Sequence, residues 1–435
     1  MSRPKLVFSR RTGGLGRIGN NERNWSALCM SGVSAGDVEL NTVYELKSLN
    51  DAVNLGIDAA YDTDNLVLCY YHIKEFYRMC PGGRLFIMIV SQTVTLTVMN
   101  DKATTYGLAK LLRDPKCKGK VRWATTARNP AADYTPTVAN GIDTDSIAVA
   151  GSVYSGAVVK AQALAEEEES LKRPVHIFVE ARSITGNITD LIDATQARCP
   201  KVCLVGLQDT VVGAAQDIYE GHASVGTVLG HSAYIGISKS LANPGEGNPG
   251  PGDITGTENS EFAFPGISSN AVISDYTDTE NGDQDTLYDK GFIVPCAHQG
   301  YAGVYLNGDI TCDLETSDYK RRANNAVVNE WERVAYLTMV PKIEGDFLVD
   351  PVTGFLDPIT IQGWKADLDL ATGLALIGEK RTAASDVSGL ENYINPEQNF
   401  LSSDTIEVEA DIIPKGYAKT IHVTVGLKNP FKATT

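Results

Sequence analysis

The chain has 435 residues, 43% hydrophobic and 21% charged, the proportions of a globular protein long enough for two or three cores. Its 54 acidic and 38 basic residues give a formal net charge of -16, so its surface would repel a phosphate backbone, which excludes nucleic-acid binding as an expectation. No run approaches the roughly 18 apolar residues of a membrane span, and the basic N-terminus lacks the apolar core of a secretory signal. The eight cysteines (Cys29, Cys69, Cys80, Cys117, Cys199, Cys203, Cys296 and Cys312) form no CxxC pair, and several lie in apolar runs. That pattern reads as buried free thiols and synthesis in a reducing cytoplasm.

Residues 1–24 join a short apolar strand around Leu6, Val7 and Phe8 to a Gly-rich polar stretch. Such a strand has no local partner and reads either as disordered or as an arm that pairs elsewhere. From Trp25 to about Gln208 strands and helices alternate: strands at 25–30, 44–46, 85–90, 120–125, 175–180 and 202–207, with helices from Ser48 (boxed by Asp51), over 64–79, 102–112, 153–171 and 187–197. This rhythm predicts an α/β layer with several parallel strands. Small residues crowd 221–240, the mark of a closely packed helix, and Gly, Pro and acidic residues make 243–285 a long surface loop. A helix is expected over 359–378. Two alternating runs, Thr405–Ile413 and Ile421, Val423, Val425 and Leu427, suggest a terminal hairpin.

Chemistry-bearing motifs fail on context. Gly14-Leu15-Gly16-Arg17-Ile18-Gly19 spells a dinucleotide fingerprint but leads into no helix whose N-terminus would hold a pyrophosphate. Gly32-Val33-Ser34-Ala35-Gly36 matches a nucleophile elbow but also leads to a strand rather than a helix. Cys199 and Cys203 lack a complementary pair for zinc, and the acidic run Asp275, Asp278, Glu280, Asp283 and Asp285 misses a calcium-loop register. His72 and His422 read as structural. No catalytic residue, cofactor or metal is assigned.

The most organised stretch is Thr286–Pro341: a strand at Phe292–Pro295, a second at Gly303–Leu306 ending on Asn307-Gly308, and a helix opening near Ser317-Asp318. The helix buries Ala323, Val327, Trp331, Val334 and Ala335 at i, i+4, i+7 spacing and stops at Pro341. This stretch resembles the core of contractile-tail sheath proteins, in which an LN-x-x-G-I strand and a T-x-x-x-x-S-x-Y turn lead into a helix with R-x-x-N. Leu287, Gly291, Thr311, Ser317, Tyr319 and Asn329 fit that pattern, with Arg322 near its basic position; the 243–285 loop departs from it.

The resemblance implies an α/β, tail-sheath-like fold: an N-terminal arm (1–24), an outward α/β domain (25–215), an inner mixed α/β domain (216–419) and a C-terminal arm strand (420–435). It implies a structural subunit, with no cofactor, that forms hexameric rings around a tail tube in a phage tail or phage-like contractile particle. Contraction would drive the tube through a target envelope. Partners would be copies of the chain, the tube protein, and baseplate and tail terminator proteins. Strand exchange through Leu6, Val7, Phe8, Ile421, Val423, Val425 and Leu427 would link copies. Lys320, Arg321 and Arg322, cations at a helix start where the dipole disfavours them, would either meet an anionic tube surface or pair with the chain's own carboxylates. The rival expectations are an α/β hydrolase-like or nucleotide-binding enzyme and a phage-borne adhesin-like module.

Overall fold

A computed structural model describes residues 21–34, 36–185, 188–245, 253–255, 265–267, 283–298, 301–378, 381–382, 384–398, 405–419 and 421–425. The sequence rhythm becomes a seven-stranded sheet. Its strands are β1 (Trp25–Gly32), β2 (Val43–Leu46), β3 (Arg84–Ser91), β4 (Trp123–Ala127), β5 (His176–Glu180), β6 (Val202–Val205) and β7 (Phe292–Ile293). They lie in the order β7-β6-β5-β4-β1-β3-β2, all pairs parallel except β2 with β3.

Side chains alternate between the two sheet faces, and both faces are dry, as parallel sheets require. Cys29, Met88, Ala124, Ile177, Leu204 and Phe292 enter one core. Leu28, Ile87, Trp123, Phe178, Cys203 and Ile293 enter the other. Each fully buried Leu, Ile or Phe contributes about 1.5–3 kcal/mol, so the sheet is the stable centre of the molecule.

Helix α1 (Leu49–Asn54) begins as read, with Ser48 and Asp51 forming a capping box. The single helix expected over 64–79 is two: α2 (Ala59–Asn65) and α3 (Cys69–Met79), broken at Leu66 in the left-handed region, φ 55°. The Asp62 carboxylate makes the break tolerable by accepting from the amides of Tyr70 and Tyr71, each at 2.9 Å, at the new helix start. Helix α4 (Ala157–Ser170) covers the first core. The helices expected over 102–112 and 187–197 contract to Leu108–Arg113 and to two short 3-10 turns.

Helix α5 (Val225–Ile235) lies against α3 at backbone contact, the reason for its small residues. A Cβ on Gly226 would sit 2.3 Å from the His72 carbonyl oxygen, and one on Gly230 2.6 Å from that of Phe76. Gly226→Ala is therefore expected to cost about 3 kcal/mol. The measurement is the urea midpoint, which should fall at unchanged slope. His72 itself is a buried interface residue, and burial holds its ring neutral with a pKa well below 6.5.

The expected boundary at 215 does not divide the core, because β7 and α5 lie beyond it yet complete the sheet and one covering layer. A smaller third core, with Leu356, Ile361, Trp364 and Ile394, follows helix α6 (Arg322–Met339). It is built from α7 (Pro358–Leu376, capped by Asp357) and a two-stranded sheet of β8 (Gly389–Ile394) and β9 (Val408–Ile413). The hairpin thus differs from the expected one. β9 forms where its alternation predicts, but its partner is β8, and residues 421–425 form no strand. The six-residue run Gly389–Ile394 carries apolar Leu390 and Ile394 on its inner face, a signal the sequence reading missed.

Candidate functional site

Helix α6 carries the residues in which the sequence concentrates its organisation. It starts at Arg322, later than Ser317-Asp318 suggests, because the preceding residues form a tied turn. Thr311 Oγ1 donates to the Tyr319 carbonyl at 2.9 Å, Asn325 Nδ2 donates to the same oxygen at 2.8 Å, and Ser317 Oγ accepts from the Tyr319 amide at 3.1 Å. The Thr, Ser and Tyr of the motif are thus lead-in fasteners.

The helix face turned to the sheet is polar as well as apolar. Arg322 is fully buried, its Nε donating to Asp309 Oδ1 at 2.6 Å while its guanidinium also reaches the carbonyls of Gly236 and Lys239 and lies 4.7 Å from the Trp123 ring centroid. Asp309 Oδ2 accepts from the Ala323 amide, so one carboxylate both caps the helix and neutralises the arginine. Two turns on, Glu330 meets Arg122 at 2.8 Å and Arg23 at 3.5 Å. Burial works to raise its pKa, but Arg122 and Arg23 outweigh that and hold the carboxyl below its ordinary value. Arg333 donates to the carbonyls of Gly119, Val121 and Pro174, and burial, with Arg122 adding repulsion, pushes its pKa down to about 9.

These positions correct one expectation. Arg322 cannot meet a tube, since it is sealed inside its own subunit by an ion pair. Lys320 and Arg321 do face outward: Lys320 is 3.7 Å from Glu315 at the surface, and Arg321 lies 5.1 Å from the Tyr417 ring centroid. Both line a groove of about 740 Å³ between the start of α6 and β9, whose floor includes Val327, Trp331, Ala410 and Ile412. Beside this groove β9 is paired along one edge by β8, and no strand among the described residues takes the other.

The chain leaves the body just past this groove. Tyr417 donates to the Ser238 carbonyl at 2.7 Å, and Lys419 Nζ sits 4.1 Å from the Tyr288 ring centroid. Beyond that tie Ile421, Val423 and Val425 are 78%, 78% and 87% exposed. Leu427 and the N-terminal Leu6, Val7 and Phe8 lie outside the described residues. Just before β1, Arg23 anchors the chain by binding Asp386, Glu330 and the Ala375 carbonyl.

The enzyme-like motifs take no catalytic shape. Ser34 is exposed on the loop after β1, and that loop runs through a turn to β2 rather than into a helix. At the carboxyl ends of β1 and β4, where open α/β sheets bind ligands, Asn129 joins the two strands. It donates to the Ser31 carbonyl at 2.7 Å and accepts from the Leu68 amide at 3.0 Å. Gly14–Gly19 and the acidic residues from Asp275 to Glu280 lie outside the described residues. The eight thiols are free and buried, with burial raising those of Cys80, Cys117 and Cys199 to about 12. Among the described residues no group of three or more His, Cys, Asp or Glu is arranged to hold a metal, and no helix is long and apolar enough to cross a membrane.

Comparison with known proteins places this architecture. The N-terminal-domain model of the DUF2586 family matches residues 4–309. Among solved structures, the chain is similar to one in the helical sheath of the anti-feeding prophage in its contracted state, with a TM-score of 0.58 at 11% identity, covering 98% of this chain and 99% of that one. A chain of the anti-feeding prophage baseplate matches equally well, at 0.58 and 10% identity over 98% and 99%. The contracted sheath complex of an extracellular contractile injection system, PVC, gives 0.53 at 12% identity over 98% of both chains. No curated protein matches the sequence. The fold is that of contractile-sheath chains.

Proposed function

From the premise that this chain belongs to the DUF2586 family, we propose that it is the structural subunit of a contractile sheath. The observation that carries this reading is the likeness in fold to sheath chains over 98% of its length. In this reading copies stack as hexameric rings around a tail tube in a phage tail or phage-like particle, in contact with baseplate and tail terminator proteins. Contraction turns each copy into closer contact with its neighbours and drives the tube through a target envelope. The energy is held as contacts not yet made between copies, so the cycle needs no cofactor.

The exposed C-terminal segment and the open edge of β9 supply a donor and an acceptor for linking copies. An extended arm laid along that edge would gain five or six ladder bonds at about 1 kcal/mol each. Leu6, Val7 and Phe8 would act as the second donor. Such links would hold while the bodies pivot, because the arm is tied to its own subunit at Tyr417 and Lys419 and exposes Ile421, Val423 and Val425 after them. Purified protein is expected to form tubes or large oligomers without nucleotide or metal, visible by negative-stain microscopy. A chain that stays monomeric over a wide concentration range would end the sheath reading.

Lys320 and Arg321 remain as the anionic-surface contact, and we assign that surface to the tube. Lys320→Glu with Arg321→Glu should leave the monomer at least as stable, since carboxylates suit a helix start by about 0.3–1 kcal/mol each. Sheath formation on tubes should be lost while tube-free polymer forms normally. Loss of both kinds of assembly would move these residues to a contact between copies.

A further inference from the structure

A second cavity, of about 300 Å³, opens at the amino ends of the sheet strands, where β1 and β4 meet the last turns of α6. Lys120, Arg122, Lys172 and Arg333 line it, with Trp25 and Leu337 as apolar wall, and no carboxylate does. In a chain of net charge -16 this is a concentration of the minority sign. Lys120 and Lys172 are exposed, and Lys120 Nζ stands 4.9 Å from the Trp25 ring centroid. Arg122 already holds Glu330, but buried Arg333 is met by carbonyls rather than by a carboxylate, and its Nε has no partner. Leu337, 71% exposed, forms an apolar lip.

The complementary feature lies elsewhere on the chain. The outer face of the β8–β9 sheet carries Glu391, Tyr393, Glu409 and Asp411, all exposed. Glu391 pairs directly across from Asp411, and Tyr393 from Glu409. Like charges in direct cross-strand register destabilise a sheet, and among the described residues no cation stands within ion-pair distance of these three carboxylates. The inner face of the same sheet is spent on packing against Trp331 and Trp364.

We propose that the cationic cavity of one copy receives the acidic outer face of the β8–β9 sheet of a second copy, with Tyr393 against Leu337 and Trp25. Cavity and face belong to different elements, so the contact is heterologous: it repeats head to tail and produces rings or helices rather than closed dimers. It thereby rests on the sheath reading and names a contact between its bodies, separate from the arms. Charge complementarity supplies the repulsion relief that the lone subunit lacks.

The test uses the full chain and two surface double variants, Lys120→Glu/Lys172→Glu and Glu391→Lys/Glu409→Lys. Each should melt like the parent and raise the critical concentration for polymerisation at least tenfold. Mixed one to one they should copolymerise near the parent concentration, because each reversed surface then finds its complement on the other variant. A parent that polymerises while the variants match it, or a mixture no better than its components, overturns this contact and leaves the sheath reading standing. A parent that never polymerises overturns both.

Discussion

Replacing Arg322 with alanine is expected to cost about 3–5 kcal/mol, the range for removing one partner of a buried ion pair. The loss is large because the guanidinium serves several groups at once. It neutralises Asp309, satisfies the carbonyls of Gly236 and Lys239, and covers the Trp123 ring. Its removal leaves Asp309 as a buried charge whose remaining donor is the Ala323 amide. A chemical denaturation curve should show the midpoint falling, and raised pH should not restore it. Replacing both partners by apolar residues, Arg322→Met with Asp309→Leu, should recover much of the loss, since no charge is then stranded. A single variant within about 0.5 kcal/mol of the parent would mean that the pair is not buried as described.

Deleting the chain from Thr420 onward should abolish polymerisation and leave the monomer's unfolding unchanged. The described residues beyond that point contribute nothing to any core: Ile421, Val423 and Val425 are exposed, and the last ties to the body are at Tyr417 and Lys419. Val423→Pro should have the same effect, since proline removes a ladder donor from a segment that, in the proposed role, pairs as a strand with a neighbour. Sedimentation reads the polymer and thermal melting the monomer. Polymer formed at normal concentration by either variant would remove this segment from the lattice. A truncated chain that aggregates or fails to fold would return the segment to its own domain.

Much of the fold was legible because parallel strands buried on both faces leave dense apolar runs, as Leu85–Val90 does, and because caps such as Ser48 with Asp51 are local. What was hidden depends on residues distant in sequence. Leu66 can break a helix because Asp62 caps the next one, which no period reveals. Arg322 reads as a surface cation until Asp309 is found beside it, and the Lys120, Arg122, Lys172 and Arg333 cluster gathers residues scattered along the chain. The terminal hairpin misled because two alternating runs adjacent in sequence look like partners, whereas β9 pairs with the earlier and less apolar β8. Exposure of Ile421, Val423 and Val425, which matters most to the proposed role, was not legible, because their alternation read as the second strand of that hairpin.

The fastening of α6 determines how the body would carry a load in the proposed role. Arg322, Glu330 and Arg333 pin one helix to three separate places on the body, and the same helix packs on α7 and, through Trp331 and Asn392, on β8. A pull on the outer sheet would therefore load the pins in shear, together rather than one by one. Among the described residues beyond Lys419 there is no such bracing, so in the proposed role tension would be taken up there first while the body turns as one stiff lever.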